Sequence, residues 1–307
     1  MPSHPRAFSL PEADPTAIGN VSTPPFAVLP DPAHLFATRA ARLRAYAGVS
    51  PAAGYLNFVA GLVEAQHAIL PGLPEPERPD IETLERAAAY GMPPLDRARF
   101  TLDSAAETTL DRLFDAAAAV AMPEPATRAL ERVRAGTDRA AMVADVLASS
   151  LPMESLAEHV FIAAGLQVHF ARLAAGLDPR ALVPVGDGLC PCCGGPPVAS
   201  LIVEWPNAHG SRFCACGLCA TLWHYVRIRC TSCGSTKGIG YQEVEGSPGT
   251  VKAETCDECR TYVKVMYQNK DTGIEPLADD VGSLGLDMMM QDGPYKRAAF
   301  NPFLIGY

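Results

Sequence analysis

Eight of the ten cysteines form four Cys-x-x-Cys pairs, and this spacing limits the fold more than any other feature of the chain. The pairs are Cys190/Cys193, Cys216/Cys219, Cys230/Cys233 and Cys256/Cys259. Adding 40 to each number in the first two pairs gives the last two pairs, and 22 residues separate the pairs within each half. The sequence therefore contains an internal duplication of one cysteine-rich unit.

The spacing in each unit is typical of a ribbon that holds one metal ion. A Cys-x-x-Cys pair in a tight turn directs two thiolates to a tetrahedral ion about 2.3 Å away, and a second pair, returned by a hairpin, completes the tetrahedron. Strand-like runs with a turn between them lie at 197–213 and 238–254, between the pairs. We therefore predict two four-sulfur sites. Site 1 comprises Cys190, Cys193, Cys216 and Cys219, and site 2 comprises Cys230, Cys233, Cys256 and Cys259.

Glycine directly after the second cysteine of a pair lets the backbone turn where a side chain would be strained. Gly194 and Gly234 occupy that place after the first pair of each unit. Ala220 and Arg260 occupy it after the second pair. The turns of both units are therefore expected to share one backbone shape.

Cysteine placement also bears on the kind of bond that the thiols form. All ten lie between 190 and 259, and the N-terminal residues show no basic stretch followed by an apolar run, so we expect neither a secretory signal nor a disulfide framework. Four thiolates suit zinc or a single iron ion, and the residue types leave both open. Cys192 and Cys214 remain outside the pairs. We expect both to serve as small buried residues at the metal site; the alternative is that they form a redox or sulfur-handling pair.

The rest of the chain predicts a helical part before the cysteine-rich part. Between residues 31 and 177, apolar residues recur at helical spacing and indicate about six to eight helices. After 178, proline, glycine and cysteine become dense and short β-branched runs appear. The predicted fold class is α+β and multidomain, with an all-α domain followed by two tandem rubredoxin-like or zinc-ribbon modules of short β-hairpins. The predicted divisions are a flexible tail (1–23), a helical domain (24–183), two ribbons (184–226 and 227–267), and a C-terminal helix and tail packing on the ribbons (268–307).

Composition and motifs argue against several functional classes. The net charge is −9, from 34 acidic and 25 basic residues, which disfavours nucleic-acid binding. The most apolar segment, 160–177, contains Gln167, His169 and Arg172 and is too polar to predict a membrane span. CGSTKG and EGSPG match neither a phosphate loop nor a nucleophile elbow. His67, His159, His169 and His224 are expected in packing or surface roles, so the sequence predicts no enzyme.

Beyond these patterns, the chain from about residue 24 resembles the formate dehydrogenase accessory protein FdhE family. The resemblance is carried by PPFAVLPDPAHLF near the start, RFCACGLCATLWHYVRIRCTSCG, VKAETCDECRTYVKVMYQNKD, EPLADDVGSLGLD and the closing YKRAAFNPFL. Cys192, Cys214 and Leu222 depart from the family pattern. The resemblance implies a cytoplasmic, non-catalytic maturation factor that binds the catalytic subunit of formate dehydrogenase.

The resemblance also implies site residues. The eight paired cysteines would be metal ligands in knuckles similar to those of rubredoxin, holding two mononuclear ions, with iron favoured and zinc as the alternative. Its C-terminal matches are candidates for structural or partner contacts: Asp279, Asp280, Asp287, Tyr295, Arg297 and Asn301. A redox or electron-transfer protein using mononuclear iron is the alternative function, and a zinc-ribbon nucleic-acid binder ranks third. The sequence gives no indication of oligomeric state.

Overall fold

The computed structural model describes residues 23–136 and 138–304. Its first part is helical, as the sequence pattern predicts, and the described residues there form seven α-helices. They are α1 (Pro32–Ala47), α2 (Ala53–Ile69), α3 (Ile81–Tyr90), α4 (Ser104–Ala117), α5 (Glu124–Arg134), α6 (Arg139–Ala148) and α7 (Leu156–Ala175). Most of the predicted tail, 1–22, and the last three residues, 305–307, lie outside the described residues.

Aspartate side chains begin three of these helices. Asp31, Asp80 and Asp103 each accept a hydrogen bond from a first-turn backbone N–H, at 3.1, 2.7 and 2.7 Å. Such caps satisfy backbone donors that have no partner inside the helix. Gly91 ends α3 in the left-handed conformation at φ 61°. Local sequence therefore sets these helix boundaries.

Helix α7 is the central helix of this part and is buried along nearly all of its length. It packs against α2, α4, α5 and α6. Helix α4 approaches closely, because a Cβ atom at Gly165 would lie 2.5 Å from Leu110 Cδ2. The apolar run 160–177 is thus mainly a core helix. Among the described residues no single helix has the length and composition to cross a bilayer; only Arg139–Ala148 and Met153–Ala175 together, with a 115° bend between them, meet those criteria.

The second part is built on one eight-stranded sheet. Its strands are β1 (Ala27–Val28), β2 (Pro197–Ile202), β3 (Arg212–Cys216), β4 (Leu222–Tyr225), β5 (Ile239–Gln242), β6 (Val251–Cys256), β7 (Thr261–Tyr267) and β8 (Lys296–Arg297). The order is β1-β4-β3-β2-β7-β6-β5, and β8 pairs with β7. Residues 203–205 and 243–244, which belong to the predicted strand-like runs, lie outside the strands.

The duplication is visible in the sheet. Strands β2, β3 and β4 of the first unit correspond to β5, β6 and β7 of the second, and each set pairs antiparallel. The units meet where β2 runs parallel to β7. A buried ion pair, Arg212 Nη2 to Glu254 Oε1 at 2.7 Å, also joins them. Both ribbons therefore belong to one continuous sheet, which local sequence patterns did not predict.

The helical part packs against the first unit, and the two share one hydrophobic core. Gln167 of α7 donates a hydrogen bond to the Gly217 carbonyl oxygen at 2.8 Å. The backbone N–H groups of Leu95 and Arg97 donate to the carbonyl oxygens of Cys192 and Cys193, at 2.8 and 3.2 Å. Site 1 thus lies against the helices.

The C-terminal segment forms two short helices, α8 (Pro276–Gly282) and α9 (Leu284–Gln291). The sequence predicted a single C-terminal helix within residues 268–307. The break falls at Ser283, whose carbonyl oxygen accepts a hydrogen bond from Lys264 Nζ at 3.2 Å. A long-range contact with the sheet therefore accompanies the break. Arg39 of α1 holds α8 in place through Glu275, at 2.9 Å.

Candidate metal centres

The structure brings the four cysteines of site 1 together. Cys190 and Cys193 come from the turn before β2, Cys216 from the end of β3, and Cys219 from the turn before β4. The Sγ atoms of Cys190 and Cys219 are 3.5 Å apart, and those of Cys193 and Cys216 are 3.4 Å apart. All four Sγ atoms lie within 4.8 Å of one another.

Site 2 repeats this arrangement 40 residues later. The Sγ atoms of Cys230 and Cys259 are 3.6 Å apart, and those of Cys233 and Cys256 are 3.7 Å apart. The same pairs of positions therefore face each other in both units. These four Sγ atoms also lie within 4.8 Å of one another.

The sulfur spacing fits coordination of a single ion. Sulfurs at the corners of a tetrahedron about 2.3 Å from its centre are about 3.8 Å apart. A disulfide would bring two sulfurs to about 2.04 Å. The observed distances are close to the first value, and all ten cysteines are free thiols. The two groups could therefore hold two metal ions, and four sulfur donors suit both iron and zinc.

The turns that carry the cysteines share the expected backbone shape. Gly194 and Gly234 have φ angles of 76° and 72°, and Ala220 and Arg260 have φ angles of 59° and 57°. All four lie in the left-handed region, which glycine adopts without strain and other residues adopt at a cost. We call the two Cys-x-x-Cys turns of each site its first and second knuckles, in chain order. Ala220 and Arg260 adopt this conformation after the second knuckles, so the geometry of the turn outweighs the backbone preference of these residue types.

The two sites differ in exposure. The cysteines of site 1 are 0, 0, 2 and 0% exposed, in sequence order. In site 2, Cys230 and Cys256 are buried, Cys259 is half-buried and Cys233 is exposed. The duplicated sequence therefore produces one enclosed site and one that reaches the surface. Sequence spacing gave no sign of this difference.

A threonine adjoins each site at an equivalent position, and the sequence reasoning missed both. Thr221 Oγ1 lies 3.2 Å from Cys219 Sγ, and Thr261 Oγ1 lies 3.0 Å from Cys259 Sγ. Each threonine follows the last cysteine of its unit by two residues, so the 40-residue offset was the available signal. A hydroxyl beside a thiolate can donate a hydrogen bond to it and thereby orient a ligand.

The two remaining cysteines lie in the core near site 1. Cys192 is buried, and its Sγ lies 3.2 Å from Thr221 Oγ1. Cys214 is buried on β3, where burial raises the pKa of its thiol to about 12. Among the described residues no hydrogen bond joins Cys192 to Cys214. Burial agrees with the packing role expected for both residues.

Four of the six C-terminal candidates lie in or next to a buried group of charges. We call Lys264, Asp280, Asp287 and Arg297 the C-terminal charge cluster. Lys264 Nζ is 2.5 Å from Asp287 Oδ2 and 3.3 Å from Asp280 Oδ1, and Arg297 pairs with both aspartates. Asn301 donates a hydrogen bond to Asp280 at 2.7 Å. Lys264 was missed because its partners lie on α8 and α9, far from it in sequence.

The other two candidates have different surroundings. Asp279 is fully buried and accepts hydrogen bonds from Arg42 and Tyr46 of α1 at 2.6 Å. Tyr295 donates to Asp257 Oδ1 at 2.6 Å, within the second knuckle of site 2. The three aspartates thus make intramolecular contacts in the core, whereas Tyr295 lies beside site 2.

None of the four histidines considered from the sequence belongs to either four-cysteine group among the described residues. His224 packs edge-on against Phe213, with ring centroids 5.7 Å apart. His169 is buried beside Phe100, and burial lowers the pKa of its imidazole. His169 and His224 therefore have packing contacts, one of the two roles expected for the histidines.

Comparison with known protein families covers nearly all of the described chain. Three family models match the chain. The model "FdhE, N-terminal" matches residues 24–187, "FdhE, central domain" matches 189–227, and "FdhE, C-terminal domain" matches 228–304. The junctions near 188 and 228 fall just before Cys190 and Cys230, so the central and C-terminal models each contain one four-cysteine group.

Individual relatives agree with the family models. The Protein FdhE homolog of Rhizobium meliloti (strain 1021) is 47% identical over 300 residues, covering 96% of this chain and 98% of the relative. Protein FdhE of Escherichia coli (strain SMS-3-5 / SECEC) is 36% identical over 276 residues, covering 88% of each. The crystal structure of the FdhE protein from Pseudomonas aeruginosa matches with a TM-score of 0.82 at 34% identity, over 92% of this chain and 99% of that chain. The chain therefore belongs to the FdhE family.

Proposed function

We propose that this protein is a non-catalytic accessory factor that binds the catalytic subunit of formate dehydrogenase in the cytoplasm during its maturation. The observation that carries the proposal is the assembly of both four-cysteine groups in a chain that matches the FdhE models across its N-terminal, central and C-terminal parts. We further propose that the eight cysteines are the ligands of two mononuclear ions, with iron as the physiological metal and zinc as the alternative.

The geometry supports a binding role rather than catalysis. Four thiolates complete the tetrahedral coordination of an ion, so neither site leaves a position open for a substrate. A bound ion would instead fix the turns of each ribbon, since site formation and folding are coupled in small metal-stapled units. The ribbons would then present rigid loops to the client. The proposed organisation keeps residues 24–183 as the helical domain, 184–226 and 227–267 as the two ribbons, and 268–307 packing on them.

Capture of the client tests this proposal. The tagged protein is mixed with the catalytic subunit of formate dehydrogenase, and the retained subunit is quantified. Cys256→Ser, which removes one sulfur of site 2, should abolish capture. Cys214→Ser is the matched control, because Cys214 is a buried cysteine outside both groups, and it should leave capture unchanged. Undiminished capture by a metal-free Cys256→Ser variant would remove the proposed mechanism.

One observation favours the alternative of electron transfer. Cys233 is exposed, which places site 2 at the surface where a redox partner could approach, whereas the cysteines of site 1 are buried. An iron-loaded sample should then show a reversible one-electron absorption change on reduction. A colourless protein that holds only zinc when purified anaerobically from cells would rule this alternative out, because zinc has no accessible redox step.

A further inference from the structure

We infer that the two metal sites have different tasks: site 1 holds its ion permanently, and site 2 exchanges its ion with small thiol or chelating molecules in solution through the side that exposes Cys233. This inference rests on the part of the proposed function in which both sites hold a metal. It goes beyond that proposal because it assigns uptake and release of the ion to one site. The evidence is the way the surrounding chain covers each unit.

Site 1 is enclosed by the helical part. The segment that follows α3 pairs with the first knuckle through the N–H groups of Leu95 and Arg97. Close packing seals the same turn, since a Cβ atom at Gly194 would lie 3.1 Å from Pro93 Cγ. Gln167 of α7 donates a hydrogen bond to the carbonyl oxygen of Gly217, within the second knuckle. The helical part therefore covers both turns of site 1, and its four cysteines are at most 2% exposed, with Cys216 bordering two surface cavities.

Within the described residues, short segments of chain pack against site 2 on two sides. On one side, the turn at Gly188 packs against the carbonyl oxygen of Thr231. On another, Tyr295 bonds to Asp257, and the N–H of Lys296 donates to the Arg260 carbonyl oxygen at 2.9 Å. On the remaining side, the first turn of site 2 is exposed at Ser232 and Cys233, while Cys230 and Thr231 are buried.

Ser232 and Cys233 are exposed on the open side of site 2, as are Asp257 and Glu258 in the second knuckle. The position that matches Ser232 in site 1 is Cys192, which is wholly buried. The difference therefore comes from what packs on each knuckle, since the cysteine spacing of the two units is identical.

This exposure sets the exchange chemistry. With an ion bound, an incoming thiolate or chelating nitrogen would supply an electron pair from the exposed side, and Cys233 would leave with the electron pair of its own bond and take a proton from the solvent. The other three cysteines would be replaced in the same way, so the exchange would need no oxidant or reductant. In site 1 the same attack requires an opening of packed core, which is rarer than motion at the surface.

The test uses the full-length wild-type protein loaded with two equivalents of zinc. Excess 4-(2-pyridylazo)resorcinol is added under native conditions, and release is followed by the colour of its zinc complex. We expect two phases of one equivalent each, with the first at least about tenfold faster, which corresponds to about 1.4 kcal/mol in activation free energy. Release of both equivalents in a single phase would overturn the inference while leaving the proposed function intact. A protein that takes up neither zinc nor iron would overturn both.

Peptide mapping assigns the phases without a variant. N-ethylmaleimide is added when the fast phase ends, and the modified cysteines are identified by mass spectrometry. Modification should be confined to Cys230, Cys233, Cys256 and Cys259. Modification of the site 1 cysteines at that time would refute the assignment.

A matched pair of variants follows from the duplication, since Cys193 and Cys233 occupy equivalent positions. Cys233→Ser should remove the fast equivalent and keep the slow one, and Cys193→Ser should keep the fast one. A fast phase that persists in Cys233→Ser would contradict the inference. If Cys193→Ser fails to fold, the wild-type mapping decides.

Discussion

Replacing Lys264 by methionine should strongly destabilise the sheet, because Lys264 is one of two cations in the C-terminal charge cluster. The side chains of Lys264, Asp280 and Asp287 are 0% exposed, and Arg297 is the only other cation that pairs with these aspartates among the described residues. Methionine would leave one buried negative charge without compensation. Breaking a buried pair in this way costs about 3–5 kcal/mol. The folding equilibrium should then fall by roughly a hundredfold to several thousandfold.

Urea unfolding in the presence of excess metal measures this loss. Tryptophan fluorescence is a suitable probe, because Trp223 lies in β4 and Trp205 packs on Phe213 of β3. Lys252→Met is the matched control. Lys252 pairs at 3.0 Å with Glu243, and both side chains are partly exposed, so its loss should cost no more than about 1 kcal/mol. If the two variants unfold at the same urea concentration, the reasoning about the cluster is refuted.

The pH dependence of the same variant gives a second test. Burial alone would raise the pKa of Asp280, but the charges of Arg297 and Lys264 outweigh it and hold that pKa below its usual value. Such a carboxyl adds stability above its unfolded pKa of about 3.9, and that stability is lost as the pH falls through the lower folded value. Without Lys264 the pKa of Asp280 in the folded protein rises. As the pH falls, the folded variant then takes up a proton that neutralises the uncompensated charge, which reduces the loss of stability. The stability difference between Lys264→Met and wild type should therefore narrow as the pH is lowered from about 7 to about 5, and a constant difference would contradict the assignment.

Three further predictions concern the metal sites. Removing both ions with a strong chelator should change tryptophan fluorescence while the helical circular dichroism largely remains, because metal binding and folding are coupled in the ribbons; an unchanged fluorescence spectrum would argue against metal stapling. Thr261→Val should weaken metal binding at site 2 by about 10–100-fold through loss of the hydrogen bond to Cys259, as measured by chelator competition; equal affinity in the variant and wild type would deny the hydroxyl this role. Gly188→Ala should lower the thermal midpoint and speed metal release from site 2, because a Cβ atom there would lie 1.9 Å from the Thr231 carbonyl oxygen. Gly246→Ala is its control, since Gly246 has a similar positive φ and no neighbouring atom within 4 Å, and an equal effect of both variants would show that backbone strain alone is responsible.

Short-range features of this protein could be predicted because their determinants lie close together in the sequence. The Cys-x-x-Cys turns need only a few residues to set their shape, so the eight cysteines and the positions of Gly194 and Gly234 were identified by spacing alone. The helix starts at Asp31, Asp80 and Asp103 also depend on hydrogen bonds within the first turn of each helix.

Features that depend on distant contacts could not be predicted. The break at Ser283 accompanies contacts from Lys264, which lies in another element. The exposure of Cys233 depends on which unit the helices cover, and both units carry the same cysteine spacing. The parallel pairing of β2 with β7 joins residues more than 60 positions apart, such as Ala199 and Lys264, and backbone pairing at that distance leaves no periodic mark in the sequence.

The head-to-tail joining of the two units has a consequence for how the array ends. The first strand of one unit, β2, pairs with the last strand of the other, β7, and a further copy could in principle add to β4 by the same rule. Strand β1 occupies that edge instead, through Ala27 and Val28 opposite Trp223 and Leu222. This short piece of chain works as a terminal cap of the kind that ends repeat proteins. It limits the array to two ribbons at that end and shields β4 from pairing with a neighbouring molecule.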